Sequence, residues 1–451
     1  MRVLLVNPQS TGIFTTIGMA LPPMGLLYLA ACLEQAGHSV RVIDLQLEPF
    51  ILAREDLASA DVVGITSDTT RIEKALQIAR QASSLGKIVV LGGPHPQFMA
   101  AEVLETGHVH FIIKGEGELS FRQLLEVIAA GGSPAATAGV IFHDGASVVE
   151  TPNAPPPDVE LLPLPARHLV DLHRYTASLS GVPVTPVVTS RGCPGGCSFC
   201  SSSNFFGRGW RQRSPESVLA ELDEIYHRYG FRGVAFVDDN FSLDSERVVR
   251  IADGIRQRGF DLIWWNFSRV DSIGKNPEMV RAMAAAGSKM VYLGIESAAD
   301  EVLRDIGKKG QVADAATAVK LLKDNHIEVF GSYIIGHHNE RRRDIDRTID
   351  LAMQLDTDVA QFSILTPYPG TALYDQLKER IFIRRWKFYD GLHLVFRHAH
   401  INRHLLQLLL IKSYFRFYRR SPRAKTGFKA YGRRQDLGMR KVLACVFDLF
   451  F

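Results

Sequence analysis

The feature that most constrains the fold of this chain is a regular alternation of short apolar runs with stretches of helical periodicity. Continuous apolar runs such as VLLVN and KIVVLGG are typical of strands that are buried on both faces of a parallel sheet. The stretches between them place apolar residues at helical spacing, which predicts helices that cover those faces. The alternation occurs in two series, so we predict an α/β protein with two such units.

The first series predicts a Rossmann-like domain over residues 1–135. Ligands of such sheets bind at the carboxyl ends of the strands, so the loops that follow the strands are the candidate binding segments. The predicted strands are 3–7, 39–44, 61–66, 87–93 and 109–115.

Residues 136–176 predict a connection between the two units. The segment GVIFHDGASVVE has Asp-Gly between two apolar runs, which predicts a hairpin. Six prolines among residues 151–167 then predict a stiff, extended linker.

The second series predicts a partial (β/α)6 barrel of the TIM type over residues 177–376. Polar residues at the carboxyl ends of its strands would share one rim. The remaining residues, 377–451, are basic and rich in apolar and aromatic side chains, and they predict a helical C-terminal tail. The predicted strands are 184–190, 233–239, 262–268, 289–296, 329–336 and 359–366.

Three of the five cysteines lie in one short loop, SRGCPGGCSFCSSS, with the spacing C-x3-C-x2-C. Its glycines let the backbone wrap around a bulky group. A structural zinc site needs four ligands, and no fourth Cys or His is close in sequence. A 4Fe–4S cluster also usually takes four thiolates, so three would leave one iron for another ligand. Three unrelated buried cysteines remain the least favoured interpretation. Cys32 and Cys445 lie in apolar stretches and are predicted to be core residues.

This motif, after the first strand of a barrel with six strand–helix units, resembles the radical S-adenosylmethionine superfamily. The resemblance implies that Cys193, Cys197 and Cys200 hold a 4Fe–4S cluster and form the catalytic site. The open iron would bind S-adenosylmethionine, whose reductive cleavage gives a 5′-deoxyadenosyl radical. The segments FVDDNF, NFSRVD and LGIES resemble the strand-end motifs of the superfamily. They imply that S-adenosylmethionine is contacted by Phe199, Asp238, Asp239, Ser268, Arg269, Glu296 and Ser297.

The N-terminal domain resembles the cobalamin-binding domain that accompanies many of these enzymes. The segments GITSDTT, LGGPHPQFM and IKGEGE carry the resemblance. The D-x-H-x-x-G motif, whose histidine ligates cobalt, is replaced here by NPQSTG, and we do not expect His95 to take over that role. The cobalamin contacts implied are Thr66, Ser67, Gly92, Gly93, Pro94, His95 and Glu116.

The combined resemblance implies a cobalamin-dependent enzyme that methylates an unactivated carbon of a small-molecule or lipid-like substrate. An electron donor such as flavodoxin or ferredoxin is implied as a partner. Radical oxidation or cyclisation without methyl transfer, as in the anaerobic magnesium-protoporphyrin monomethyl ester cyclases, stays open. A non-catalytic cobalamin or redox sensor is the alternative of another class. RNA methylthiolases resemble this chain less, because they carry three further cluster cysteines and only two cysteines remain here.

Charge is concentrated at the C-terminus, where residues 401–451 hold twelve Lys and Arg against two acids. The tail is either a helix that docks on the barrel or an amphipathic segment on a membrane surface. We expect no nucleic-acid partner. The few cysteines favour a reducing compartment, and the sequence has no apparent signal peptide or spanning segment, so we expect a cytoplasmic protein.

Overall fold

Five parallel strands form the centre of the N-terminal sheet in the computed structural model, which describes residues 1–9, 19–47 and 52–420. They are β1 (Arg2–Asn7), β2 (Ser39–Asp44), β3 (Val62–Thr66), β4 (Ile88–Gly92) and β5 (Phe111–Ile113), in the spatial order β2-β1-β3-β4-β5. The order is that of a doubly wound fold, which confirms the predicted Rossmann-like unit.

Helices cover both faces of this sheet, so strand residues are buried although alternate side chains point to opposite faces. Val3 and Leu5 pack with apolar residues of two helices on one face, and Leu4 and Val6 pack with apolar residues of three further helices on the other. The helices of this unit are α1 (Met24–Gln35), α2 (Arg54–Ser59), α3 (Ile72–Ser84), α4 (Pro94–Phe98), α5 (Ala100–Leu104) and α6 (Gly117–Ala129). Cys32 is buried in α1, as predicted.

The predicted hairpin forms and extends the N-terminal sheet. Strands β6 (Val140–His143) and β7 (Val148–Glu150) add to β5 in antiparallel order. In the turn, Asp144 Oδ1 accepts the backbone N–H groups of Ala146 and Ser147, each at 2.8 Å. Most of the proline-rich segment that follows has no regular secondary structure.

The strands of the second unit are β8 (Ser178–Leu179), β9 (Val182–Val187), β10 (Ser190–Arg191), β11 (Arg211–Gln212), β12 (Gly233–Phe236), β13 (Ile263–Arg269), β14 (Ser288–Glu296), β15 (Glu328–Ile335) and β16 (Val359–Ile364). Six of them, β9 and β12–β16, are parallel and form a curled sheet with the order β16-β15-β14-β13-β12-β9-β8. The two end strands of this sheet, β8 and β16, do not pair with each other among the described residues, so the predicted barrel is partial and open. A two-strand ribbon, β10 and β11, flanks the cysteine loop.

This unit has ten α-helices among the described residues, most of which contribute to one large apolar core. They are α7 (Ser201–Phe205), α8 (Pro215–Asp223), α9 (Ser245–Gln257), α10 (Val270–Gly274), α11 (Pro277–Ala285), α12 (Asp300–Asp305), α13 (Val312–Asp324), α14 (Arg342–Leu355), α15 (Ala372–Leu377) and α16 (Arg403–Arg420). A π-helical turn (Glu224–Arg228) continues α8. Short 3-10 turns are Pro134–Ala136, Arg167–Leu169, Leu172–Arg174, Phe241–Leu243, Lys378–Arg380 and Trp386–Phe388.

Helix α16 covers the open edge of the half-barrel. The hydroxyl of Tyr414 accepts the backbone N–H of Phe362 at 3.2 Å and donates to its carbonyl at 2.9 Å. Tyr418 makes the same pair of hydrogen bonds to Ala360, at 3.3 and 2.9 Å. Two tyrosines thus satisfy backbone groups of β16 that an edge strand would otherwise leave unpaired.

The docking interpretation of the tail therefore holds for this helix. Its polar side pairs with α14 through Lys412–Asp346 at 2.6 Å and Arg416–Asp350 at 2.7 Å. Residues 421–451, with Cys445 and most of the basic tail, lie outside the described residues. Among the described helices, none combines the length and apolar character needed to cross a membrane.

Candidate functional site

The three cysteines lie in a loop that its own glycines hold in shape. Cys193, Cys197 and Cys200 are half-buried free thiols just after β10. Gly192 has φ +85°, and a Cβ there would collide with the carbonyl oxygen of Gly209, so no other residue fits without movement. The ribbon of β10 and β11 therefore closes the loop at its base.

Two barrel loops support the cysteine loop through backbone contacts. The N–H of Ser198 donates to the carbonyl of Ile306 at 2.8 Å, and its own carbonyl accepts from Leu373 at 3.0 Å. Gly307 has φ +69°, and a Cβ on it would lie 2.6 Å from the carbonyl oxygen of Gly196. The segments after β14 and β16 thus place the cysteine loop at the predicted rim.

Two cations lie close to the thiols. A Cβ on Gly195 would lie 3.0 Å from Arg269 Nη1 and 3.2 Å from Cys193 Sγ, so the guanidinium stands against the loop. Burial raises the pKa of Cys193 and Cys197, while the charge of Arg269 lowers both and that of Lys308 lowers the pKa of Cys197. The cations favour the thiolate form, which is the form that binds iron. Three thiols with compensating positive charge fit a thiolate-ligated cluster.

Lys308 was not predicted from the sequence. Its ammonium donates to Glu296 Oε1 at 2.5 Å and to the carbonyl of Gly294 at 2.8 Å. The signal in the sequence is weak: a Gly-Lys-Lys-Gly loop after the strand-four motif. In the described residues, no three Cys, His, Asp or Glu side chains are positioned to hold a single metal ion.

The two neighbouring carboxylates predicted at the end of the second barrel strand have different environments. Asp238 is 1% exposed and accepts hydrogen bonds from the Thr189 backbone at 2.6 Å and the Ser190 hydroxyl at 2.7 Å. Asp239 faces the cavity described below, and its buried Oδ2 has no hydrogen-bond partner. Burial raises the pKa of both. Only Asp239 therefore has an oxygen available for a ligand.

The other residues predicted to contact S-adenosylmethionine lie at the ends of the third and fourth barrel strands or in the cysteine loop. The hydroxyl of Ser268 donates to Asn266 at 2.6 Å, and that of Ser297 accepts the N–H of Ala299 at 3.2 Å. Glu296 has φ +70°, a strained conformation for a residue with a side chain. Phe199 is half-buried against the barrel core. Their ligand contacts stay predictions.

A cavity of about 250 Å³ lies between the two units and has walls from both. Glycine backbone forms part of its N-terminal wall: a Cβ on Gly92 or Gly115 would meet no atom within 4 Å. Gly93 has φ +103°, and a Cβ there would lie 2.5 Å from the Ser67 carbonyl oxygen. An open wall of glycine backbone fits the close approach of a large flat ligand. Of the predicted residues, the cavity is lined by Thr66, Gly92, Gly93, Pro94 and Glu116 from the first unit and by Asp239 from the second.

Ser67 and His95 lie behind this wall and do not line the cavity. Ser67 is 1% exposed and donates to the carbonyl of Asp68 at 2.8 Å. His95 is 1% exposed, with Nδ1 3.3 Å from Thr69 Oγ1 and its ring 4.8 Å from that of Trp386. Burial lowers the pKa of His95 to about 3, so the ring is neutral. Both residues support the loops from behind, and their contact with cobalamin stays a prediction.

Comparison with known proteins agrees with this architecture. A family model for the B12 binding domain matches residues 10–125, and one for the Radical SAM superfamily matches residues 187–352. An uncharacterized methyltransferase of Pyrococcus horikoshii is 35% identical over 433 residues, 93% of each chain. The anaerobic magnesium-protoporphyrin IX monomethyl ester cyclase of Cereibacter sphaeroides is 28% identical over 463 residues, 98% of this chain and 74% of the cyclase. The hopanoid C-3 methylase of Methylococcus capsulatus is 28% identical over 405 residues, 88% of this chain and 76% of the methylase.

Among solved structures, the fold is similar to that of TsrM from Kitasatospora setae, a radical S-adenosylmethionine methyltransferase with cobalamin and a 4Fe–4S cluster bound. The TM-score is 0.71 at 22% identity, covering 84% of this chain and 78% of that chain. The curated relatives are named as enzymes, which speaks against a non-catalytic sensor. The chain therefore belongs to the radical S-adenosylmethionine enzymes that carry a B12 binding domain.

Proposed function

We propose that this enzyme methylates an unactivated carbon of its substrate, with a 4Fe–4S cluster, S-adenosylmethionine and cobalamin as cofactors. The observation that carries the proposal is the shared cavity. The wall from the N-terminal unit includes the glycine backbone of Gly92 and Gly115, and the wall from the barrel unit includes Asp239, which lies beside the cysteine loop. A substrate between these walls would be within reach of both the S-adenosylmethionine site and the cobalamin site.

Each part of the site has a role in this proposal. Cys193, Cys197 and Cys200 would hold the cluster, Asp239 would accept the ammonium of S-adenosylmethionine, and Arg269 would pair with its carboxylate. When bound, these cofactors supply a carbon radical and a transferable methyl group. The chain orients them and limits water in the cavity through apolar side chains such as Leu26, Leu29, Phe121, Phe205 and Phe206.

The apolar wall also bears on the substrate. A cavity with few unpaired polar groups favours a ligand that is mostly apolar, such as a lipid or a flat ring system. The relatedness to a hopanoid methylase supports the lipid-like class, and that to the cyclase supports a ring system. We therefore propose a small, predominantly apolar substrate.

Cluster loss in a cysteine variant tests the radical chemistry. Anaerobic reconstitution of the wild type should give a brown protein with about four irons per chain. Cys197→Ala should lose deoxyadenosine formation, whereas Cys32→Ala, which removes a cysteine from the core of the other unit, should keep it. Deoxyadenosine at the wild-type rate from Cys197→Ala would refute the cluster assignment.

Methyl transfer and cyclisation differ in the fate of the methyl group. Reconstituted enzyme, cobalamin, methyl-labelled S-adenosylmethionine and host extract should yield a labelled metabolite. Deoxyadenosine without label in any metabolite would favour oxidation or cyclisation, and the Cereibacter relative is named as a cyclase.

An external electron donor such as flavodoxin or ferredoxin is part of the proposal, because the reductive cleavage of S-adenosylmethionine consumes an electron. Reduced flavodoxin or ferredoxin should support deoxyadenosine formation in place of a chemical reductant. No turnover with either protein, alongside turnover with dithionite, would exclude this donor class.

We also propose a cytoplasmic location with contact to anionic membrane surfaces through the basic C-terminal residues. The support is charge: twelve Lys and Arg against two acids in residues 401–451. A chain that ends at Arg420 keeps α16 on the barrel and removes seven of those cations. Full-length protein should pellet with phosphatidylserine vesicles and the shortened chain should not. Equal pelleting of the two would refute the membrane contact.

A further inference from the structure

A buried ionic network crosses the boundary between the two units. Arg191 Nη1 lies 2.6 Å from Glu116 Oε2 and 2.7 Å from Glu118 Oε1. Arg211, the neighbour of Arg191 in the ribbon, also donates to Glu116 Oε2 at 3.2 Å. The side chains of Arg191 and the two glutamates are each no more than 7% exposed. Two cations of the barrel unit thus meet two anions of the N-terminal unit, and of the four side chains only that of Arg211 keeps appreciable solvent contact, at 20% exposed.

The network is attached to a candidate cofactor site at each end. Arg191 lies two residues before Cys193, at the base of the cysteine loop. Glu116 directly follows Gly115, whose backbone forms part of the cavity wall with φ +65°. A movement of the cysteine loop relative to that wall would therefore stretch the contacts of Arg191.

Burial makes this network resistant to small separations. A desolvated ion pair is stable only when its charges stay matched, because a lone charge in the same place is strongly unfavourable. Exposed ion pairs tolerate small separations, because water replaces the lost contact. The position of Arg191 over the ring of Tyr28, 5.0 Å from its centroid, adds a further contact to the N-terminal unit.

We propose that Glu116, Glu118, Arg191 and Arg211 are positioning residues that form a clamp between the units and set the distance from the cysteine loop to the cobalamin-binding wall. The inference rests on the proposed function. It assigns Glu116, predicted as a cobalamin contact, to the clamp, since both of its oxygens pair with arginines. Loss of the clamp leaves each cofactor bound and frees their relative position, so cleavage of S-adenosylmethionine becomes less coupled to methyl transfer.

Pulsed EPR tests the clamp directly. The distance between cob(II)alamin and the reduced cluster should be a single narrow distribution in the wild type. Arg191→Met and the isosteric Glu116→Gln should lose the narrow distribution, while Arg191→Lys should keep it, because one nitrogen makes both contacts of Arg191. Trp386→Phe is the matched control. It removes another contact between the units, the 2.7 Å hydrogen bond to Glu102, and should leave the distance unchanged.

Amide exchange on the cofactor-free chain provides the second measurement. Exchange in residues 115–118 and 192–200 should rise about tenfold in Arg191→Met and in Glu116→Gln, with residues 263–269 unchanged. Wild-type exchange in these segments, or a narrow distance distribution in both variants, would overturn the clamp. Failure of wild-type protein to bind cobalamin or a cluster would instead refute the proposed function, while the exchange result would still decide the clamp.

Discussion

The ammonium of Lys308 lies 2.5 Å from Glu296 Oε1, at the end of β14 and beside the cysteine loop. Their side chains are 5% and 10% exposed, so the ion pair has little contact with solvent. Glu296 has φ +70°, and the second hydrogen bond of Lys308, to the Gly294 carbonyl, ties the strained strand end to the loop that supports Cys197. The pair with Lys308 thus stabilises a backbone conformation that Glu296 would not favour alone.

We expect Lys308→Met to destabilise the barrel unit strongly. Glu296 would remain as a buried carboxylate without a counter-charge, a change that typically costs about 3–5 kcal/mol. The thermal midpoint should fall by several degrees. Lys320→Met is the control, because it breaks a 2.6 Å pair with Asp324 that is mostly exposed, and should change stability by less than about 1 kcal/mol. Equal midpoints for the two variants would contradict this prediction.

Two adjacent glycines should respond differently to alanine. In Gly92→Ala the new methyl group meets no atom within 4 Å and projects from the wall of the cavity, so the apo protein should fold normally and bind cobalamin more weakly. In Gly93→Ala the φ of +103° and the Ser67 carbonyl oxygen 2.5 Å away should reduce the stability of the apo protein itself. Thermal unfolding without cofactor and absorbance-detected cobalamin retention separate the two effects. Identical behaviour of both variants would count against the assigned wall.

Substitutions of the neighbouring carboxylates Asp238 and Asp239 should also have different effects. Asp239→Asn leaves the fold intact and removes the charge that would accept an ammonium, so we expect deoxyadenosine formation to fall at least about tenfold at an unchanged iron content. Asp238→Ala removes the acceptor for Thr189 and Ser190, which precede the cysteine loop, so iron loading itself should fall. Iron analysis and deoxyadenosine assays on both variants decide this. A normal iron content in Asp238→Ala would argue against its structural role.

Much of the fold could be predicted because the pattern of apolar, buried residues repeats within short stretches of the sequence. Strand β2 was predicted at its observed bounds, 39–44, since local apolar alternation defines it. Predicted strand 233–239 ends instead at Phe236, because Asp238 and Asp239 leave the sheet to meet other elements. The short strands β10 and β11 were missed, because their pairing of Arg191 with Arg211 depends on chain distant in sequence.

The candidate site was predictable where one motif carries it and not where distant segments meet. The cysteine loop has its own spacing, but Lys308 approaches Glu296 only because α12 folds back between them. The same limit applies to the clamp: nothing local to Glu116 shows that it faces Arg191 across the boundary between the units. Such ionic contacts are properties of the assembled fold.

We expect acid to destabilise the folded chain partly through His95. Burial lowers its pKa to about 3 in the folded chain, whereas an exposed histidine in the unfolded chain has its ordinary pKa of 6.5, so protons favour the unfolded chain. The stability it contributes is present above pH 6.5 and is lost as the pH falls toward 3, by about 5 kcal/mol at the acid limit. His95→Phe keeps a ring against Trp386 and cannot be protonated, so its unfolding midpoint should fall less between pH 7 and pH 4.

His227→Phe is the control, because that side chain is 65% exposed. Only part of the acid effect should disappear in His95→Phe, since burial also lowers the pKa of His337 to about 3. Parallel pH curves for wild type and His95→Phe would show that His95 does not take part.

The double variant Tyr414→Phe, Tyr418→Phe should expose the edge of the half-barrel without removing α16. Each hydroxyl satisfies one N–H and one carbonyl of β16, at Phe362 and Ala360, and a buried backbone group left unpaired costs about 1–3 kcal/mol. The apolar ring contacts of the helix are retained, so the loss falls on the strand and not on helix docking. Amide exchange at residues 360 and 362 should accelerate. The protein should also associate at high concentration, because an uncovered edge strand pairs with other chains.

Tyr226→Phe is the control for this double variant. Tyr226 is a half-buried tyrosine under the Arg232 guanidinium on another face, so its substitution should leave both measurements at wild-type values. Unchanged exchange in β16 of the double variant would mean that apolar packing alone holds the helix over the edge.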